Sequence, residues 1–348
     1  MKMAAIAAAI TTALVSGSAL AAEVYNSDGT SLSIGGRAEF RGDFQGQASG
    51  SELDGTMDNK SRVRINVGGE TQITDSLSGI AFYEAEQTVN NDASNSQNSA
   101  FTQRYMYAGL STNGGDVTFG KQDAATVQIS QMSDTVTTHS GIQKTFIQAG
   151  DEQINNAINY SGYFMDALSV KASLLASNEA SEDGWALSGI YTLPFGLGIG
   201  LGYAANENPG NNAQDSKQFL GGLNYRWEGL YVAATYTQGE GSKKYNGAND
   251  FDSVEFVAQY RFENNFEAVL GYQRGQIDPD GAAKYNVSDY YELTGIYYFN
   301  KSIRTYITYK FNNLKAEDMQ TTSAASTPAN PVYQDADNSL RLGLRYDF

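Results

Sequence analysis

The chain has no cysteine and a single histidine in 348 residues, and past its N-terminal region it has no long apolar run. Without cysteine there is no disulfide framework, so the fold rests on non-covalent contacts. The one histidine, His139, stands beside Ser140. A hydrolytic pair needs serine and histidine within hydrogen-bonding reach and a third group to orient the imidazole. Neighbours in a Thr/Ser-rich stretch do not readily meet that geometry, and no second histidine is available, so the chain does not read as an enzyme. Positive charge is also scarce. There are 23 basic residues against 39 acidic ones, a formal charge of −16. Phosphate backbones would meet a repelling field, so nucleic acid is not an expected partner.

The longest apolar candidate in the body of the chain, "LPFGLGIGLGYAA", is too short and too glycine-rich to cross a bilayer as a helix. The start, "MKMAAIAAAITTALVSGSALAAEV", differs. It has one early cation (Lys2), an apolar stretch, and small residues at Ala19 and Ala21, the pattern of a secretory signal cut after Ala21. Residues 1–21 are therefore expected to be a signal peptide and 22–348 the working domain. "DPDG" (278–281) lacks the further spaced acids of a calcium loop. "GLGIGLG" lacks the Lys-Ser/Thr ending of a phosphate cradle and sits in a strand pattern, where glycine lets strands bend. No metal or cofactor is expected.

What fills the chain is alternation of period two, the mark of strands with one apolar and one polar face. "LSIGGRAEFRGDF" sets Leu32, Ile34, Ala38, Phe40 and Phe44 against Arg37, Glu39, Arg41 and Asp43. "KSRVRINV" sets Val63, Ile65 and Val67 against Lys60, Arg62, Arg64 and Asn66. "FTQRYMYAGL" sets Tyr105, Tyr107 and Gly109 against Thr102, Arg104 and Met106, and "SIRTYITYKF" behaves likewise. Seven short turns, near 74–76, 113–115, 163–166, 194–196, 228–229, 263–265 and 300–302, alternate with eight long polar connections. The longest of these is 123–153. This predicts about sixteen strands with short turns at one end and long loops at the other, the asymmetry of an outer-membrane barrel. An even number places both termini on the short-turn, periplasmic side. A soluble sandwich also alternates, so alternation alone leaves that architecture open.

These segments resemble the general porins of Gram-negative outer membranes. The resemblance is carried by "AEVYNSDGTSLSIGGRAEF", "GGETQITDSLSG", "RYMYAGLSTNGGDVTFGKQD", "GIYYFNKSIRTYITYKFN" and the terminal "LGLRYDF", in order along the whole chain. It implies a sixteen-stranded antiparallel transmembrane β-barrel, a homotrimer, narrowed by a long third external loop folded inward. It further implies a pore constriction in which Arg37, Arg64 and Arg104 are wall cations, Asp134 a loop acid and Glu84 a wall acid. Two positions depart from the family: Thr138 where a second loop acid is expected, and Gln153 where a further arginine is expected.

The residues support a wet lumen independently. Arg62 and Arg64 share one face, as do Arg37, Glu39 and Arg41. Turning such a face to lipid costs roughly 2–4 kcal/mol per arginine near the midplane. The bland alternative is that these cations only form ion pairs with Glu39, Glu84 and Glu86. Aromatic residues Tyr107, Tyr297, Phe299, Tyr309, Tyr346 and Phe348 suit an interfacial girdle. In the resembling family a terminal aromatic, here Phe348, also serves as the signal for the barrel-assembly machinery. The expected function is passive diffusion of small hydrophilic solutes, with mild cation preference. Expected partners are outer-membrane lipids and lipopolysaccharide; the acidic loops read first as a solvated rim, with divalent-cation bridging to lipopolysaccharide as the alternative. The competing readings are an adhesin or phage receptor with an incidental pore, and a substrate-specific channel.

Overall fold

The computed structural model describes residues 21–45, 57–89, 95, 100–135, 141–177, 183–208, 215–242, 249–281, 283–315 and 338–348. Thr138, His139 and Ser140 lie outside these residues, as does most of the expected signal peptide, 1–20. The first half contains β1 (Ala22–Ser27), β2 (Thr30–Gln45), β3 (Met57–Asn59), β4 (Arg62–Thr74), β5 (Leu77–Thr88), β6 (Thr102–Thr112), β7 (Gly115–Gln122), β8 (Ile154–Phe164) and β9 (Leu168–Leu175). The second half contains β10 (Gly184–Thr192), β11 (Leu197–Asn206), β12 (Ser216–Trp227), β13 (Leu230–Glu240), β14 (Asn249–Arg261) and β15 (Phe266–Pro279). It closes with β16 (Tyr285–Tyr298), β17 (Ile303–Asn312) and β18 (Ser339–Asp347).

Each strand from β4 to β18 pairs antiparallel with the next, and β18 returns to β2. The sheet therefore closes, leaving no open edge to be stranded in hydrocarbon. Eighteen strand segments occupy sixteen positions. β3 and β4 share one edge of β2 as a single interrupted strand. On the other edge β18 covers Arg37–Gln45 and β1 covers Thr30–Ile34, so β1 and β18 complete one strand between them. Their junction is Phe348, whose N–H donates to Gly36 O (3.1 Å) and whose carbonyl accepts from Gly36 N–H (2.9 Å). The β1–β2 hairpin turns on Asp28 and Gly29, both at positive φ. The sequence reading left this hairpin out, although an Asp-Gly pair is its usual signal.

Outward positions carry the apolar residues. Leu201 is 57% exposed and Leu293 55%, the surface that lipid covers. Exposed Tyr163, Tyr191, Trp227, Tyr260, Tyr297 and Phe299 gather next to the short turns, forming one interfacial ring. Inward positions carry many of the polar residues, and a large share of the apolar ones pack on the 123–153 connection.

That connection is a second core inside the barrel. Helix α1 (Val127–Ser130) is entirely buried, and Ile142, Phe146, Ile147 and Ala149 follow it into the wall. Phe146 stacks on Phe251 of β14, with centroids 4.4 Å apart. Ile129 and Met132 pack on Leu220, Tyr231 and Val257. Fully burying side chains of this size stabilises by about 1.5–3 kcal/mol each, enough to hold a loop with so little regular structure of its own. The glycines of "GLGIGLG" serve this packing. A Cβ at Gly200 would come within 2.8 Å of Ile129 Cδ1, and one at Gly202 within 3.0 Å of Thr126 Cγ2. They are the seat of the loop rather than bending points.

Candidate functional site: a charged constriction

Among the arginines that project inward, six gather on one stretch of wall: Arg304 on β17, Arg345 on β18, Arg37 on β2, Arg62 and Arg64 on β4, and Arg104 on β6. Register explains their proximity. Arg304 faces Arg345, Arg345 faces Glu39, Asp347 faces Arg37, Arg37 faces Arg64, and Arg64 faces Glu86. The alternating pattern that sends one set of side chains to lipid sends this set to water.

Five of the six are also ion-paired. Arg62 Nε lies 2.7 Å from Glu39 and its Nη1 3.6 Å from Glu86. Arg64 pairs with Glu86 and reaches Glu84 at 3.7 Å. Arg104 Nε donates to Glu84 at 2.8 Å. Arg345 and Arg304 both engage Asp347, at 2.5 and 3.6 Å. Glu39 also accepts from the Tyr306 hydroxyl at 2.8 Å, across the width of β18. Arg37 is different. It is 8% exposed, forms no ion pair among the described residues, and its Nε has no hydrogen-bond partner.

Opposite this wall, the 123–153 connection is pinned to inner residues of the far strands. The Ala125 N–H donates to Ser173 Oγ (2.8 Å), and Gln128 Nε2 to Ser188 Oγ (2.6 Å). Ser133 Oγ and the Gln143 N–H both donate to Glu255, at 3.0 and 3.3 Å. Gln218 Nε2 donates to Gln143 O at 2.6 Å. Asp134, expected as a loop acid facing the wall cations, is instead held by Lys144 of its own loop at 2.5 Å. Lys144 also grips Glu152 at 2.8 Å. Burial of Lys144 works against its charge, but these two carboxylates outweigh it and push its pKa above the usual lysine range. The sequence reading missed Lys144, whose only signal was its place between two loop acids.

Gln153, read as the loss of a wall cation, is a tether. With its amide oriented to accept, Oε1 takes hydrogen bonds from Arg104 Nη2 (3.1 Å) and Nη1 (3.2 Å). Its N–H donates to Asp123 Oδ1 at 3.0 Å, joining the two roots of the loop.

Tyr105 and Tyr107 lie on the inner side, not on the lipid side that strict alternation with Arg104 predicts. Tyr107 was expected in the lipid girdle, yet both rings point inward and Met106 between them is exposed. The pairing of β5 and β6 slips between Glu84 and Ala85, which face Tyr105 and Gln103, so Arg104 is the extra residue of a bulge. One inserted residue reverses the phase, which brings Arg104 and Tyr105 to the same side. For Phe348 the outward placement holds: its ring lies over Gly36, where a Cβ would come within 2.8 Å.

Residues 4–317 match the Gram-negative porin family. The chain is 35% identical over 366 residues to outer membrane protein U of Vibrio vulnificus, spanning all of both chains. It is 33% identical over 354 residues to outer membrane protein U of Vibrio cholerae, covering 96% of this chain and 92% of that one. Among solved structures, Salmonella typhi OmpF in complex with daunomycin superposes with a TM-score of 0.77 at 20% identity, covering 94% of this chain and all of the other. A trimer form of OmpT from Vibrio cholerae superposes at 0.70 and 18% identity, covering 92% of this chain and all of the other. Sequence, closed sixteen-position barrel and inward-facing charge agree, and the chain belongs to the Gram-negative porin family of the outer membrane.

Proposed function

We propose that this chain is a general diffusion porin, working as a homotrimer without catalysis or cofactor and with mild cation preference. The observation that carries the reading is a closed barrel, apolar outside, whose interior holds a charged wall facing a pinned loop. Small hydrophilic solutes pass down their gradients between the two. Charge at a narrow passage sets ion preference. Four acids (Asp347, Glu39, Glu84 and Glu86) interleave with the arginines, and Gln153 supplies an acceptor in place of a cation. The overall charge of −16 then favours cations at the mouths. Trimer assembly is supported by the trimer form of the OmpT neighbour. Signal cleavage after Ala21, recognition of Phe348 by the assembly machinery, and contact with lipopolysaccharide belong to the same proposal.

Planar-bilayer recording of the purified protein tests it. Stepwise conductance with closures in threes is expected, and reversal potentials in a salt gradient should show modest cation preference. A barrel that forms no open channel overturns the porin reading. Clear anion selectivity overturns only the preference.

A further inference from the structure

Beside the constriction, between the root of the loop and the inner face of β5–β9, lies a cavity of about 150 Å³ that ion passage does not require. One side is aromatic. Phe82 packs on Tyr105 and Tyr107, with ring centroids 6.3 and 5.6 Å away, and Tyr160 lies in the same lining. Two of these rings are inside only because of the Arg104 bulge. A cavity near 150 Å³ is the size that takes one six-membered ring.

The polar groups around it are mostly committed. Arg64 and Arg104 are engaged by Glu84, Glu86 and Gln153. Glu152 is held by Lys144. Asp123 accepts from the Tyr105 hydroxyl at 3.2 Å and from the Gln153 N–H. Asp116 is hydrogen-bonded by Ser111. Two groups are left unmet. Lys171 lines the cavity with no hydrogen bond or ion pair among the described residues. Asn159 Oδ1 is buried without a donor, while its Nδ2 is spent on Asp123 O at 2.8 Å. A half-buried cation whose charge is answered only through space, by Asp123, and a buried amide oxygen lacking a donor both leave room for a ligand that satisfies them.

We propose that this cavity is a solute-binding subsite for small ring-bearing carboxylates that carry a hydroxyl. The carboxylate would meet Lys171, the hydroxyl would donate to Asn159 Oδ1, and the ring would lie against Phe82, Tyr105 and Tyr107. The proposal rests on the pore reading and adds to it a saturable step for one class of solute.

The probe is 4-hydroxybenzoate, added during planar-bilayer recording of the whole protein, with acetate as the ringless control. We expect 4-hydroxybenzoate to reduce or modulate ion current with saturation, and acetate to have no saturable effect. Lys171→Met should weaken the block about tenfold or more, the scale of a lost charge-assisted hydrogen bond. Tyr107→Leu, which keeps Lys171, should weaken it less. A heat-modifiable gel shift and normal potassium chloride conductance establish that each variant folds. If one variant fails to fold, the other still decides. Open channels that show no saturable block by 4-hydroxybenzoate, or an unchanged block in Lys171→Met, overturn the subsite and leave the porin reading standing. Absence of any channel overturns both.

Discussion

Lys144 Nζ sits 2.5 Å from an Asp134 carboxylate oxygen and 2.8 Å from Glu152, so one loop cation is shared by two loop acids. This arrangement changes what Asp134 can do for selectivity. Asp134→Asn leaves Lys144 paired with Glu152 and is expected to shift preference only modestly toward anions. Lys144→Gln exposes both carboxylates and is expected to give the larger shift, toward cations. Reversal potentials of the two variants in one salt gradient check this. Equal and opposite shifts would mean that the loop acids act independently of Lys144.

Glu255 of β14 accepts from Ser133 Oγ and from the Gln143 N–H, two points of the loop ten positions apart in sequence. Hydrogen bonds to a charged group are worth about 1.5–3 kcal/mol. Glu255→Ala removes both while leaving the Phe146–Phe251 stack and the Ile129 packing in place. The barrel should survive with the loop loosened. The expected outcome is noisier and larger single-channel conductance, with the heat-modification temperature lowered by a few degrees. Conductance and noise identical to the parent would show that apolar packing alone fixes the loop.

Asp123, at the loop root just beyond β7, has its pKa raised to about 6, chiefly by burial and then by Glu152, against the relief given by Gln153 and Tyr105. Tyr105, Glu152 and Lys171 are the other titratable groups that act on it. A carboxyl with a raised native pKa binds its proton more tightly folded than unfolded. Its ionisation therefore removes stability as pH rises from about 4 through about 6, with no further change from this group above that window. The parent barrel should heat-modify at a higher temperature at pH 5 than at pH 8. Asp123→Asn should flatten that difference, chiefly by raising the value at pH 8. A pH difference unchanged in the variant would assign it to other groups.

The barrel wall was legible because its two environments alternate with the backbone. Val63 and Ile65 face outward while Arg62 and Arg64 face inward, and neither set could exchange places without burying charge in lipid. Two kinds of feature escaped. A bulge adds a residue without changing composition, so the phase of β6 could be read correctly at Arg104 and wrongly at Tyr105 and Tyr107. The loop escaped because its partners are distant in sequence. Nothing local tells that Gly200 and Gly202 make room for Ile129 and Thr126, or that Glu255 awaits Ser133. Gln153 was noticed as a departure, but its role depends on the bulged strand that presents Arg104.

Phe348 offers a backbone and a ring, which variants can separate. Its backbone supplies the rung at the junction of β1 and β18, through the pair of hydrogen bonds with Gly36, while its ring lies over Gly36 on the outer face and stacks near Tyr346, 5.9 Å away. Deleting Phe348 removes both and leaves the Gly36 N–H and C=O without partners at a lipid-facing seam, where an unmet backbone group costs several kcal/mol. Phe348→Leu keeps the rung and removes only the aromatic ring. If the ring is the assembly signal, Phe348→Leu should lower the yield of folded barrel in the outer membrane, while the surviving barrels keep the parent's heat-modification temperature and conductance. The deletion should lower both yield and heat-modification temperature. Parental yield from Phe348→Leu would assign the terminal residue to closure of the barrel alone.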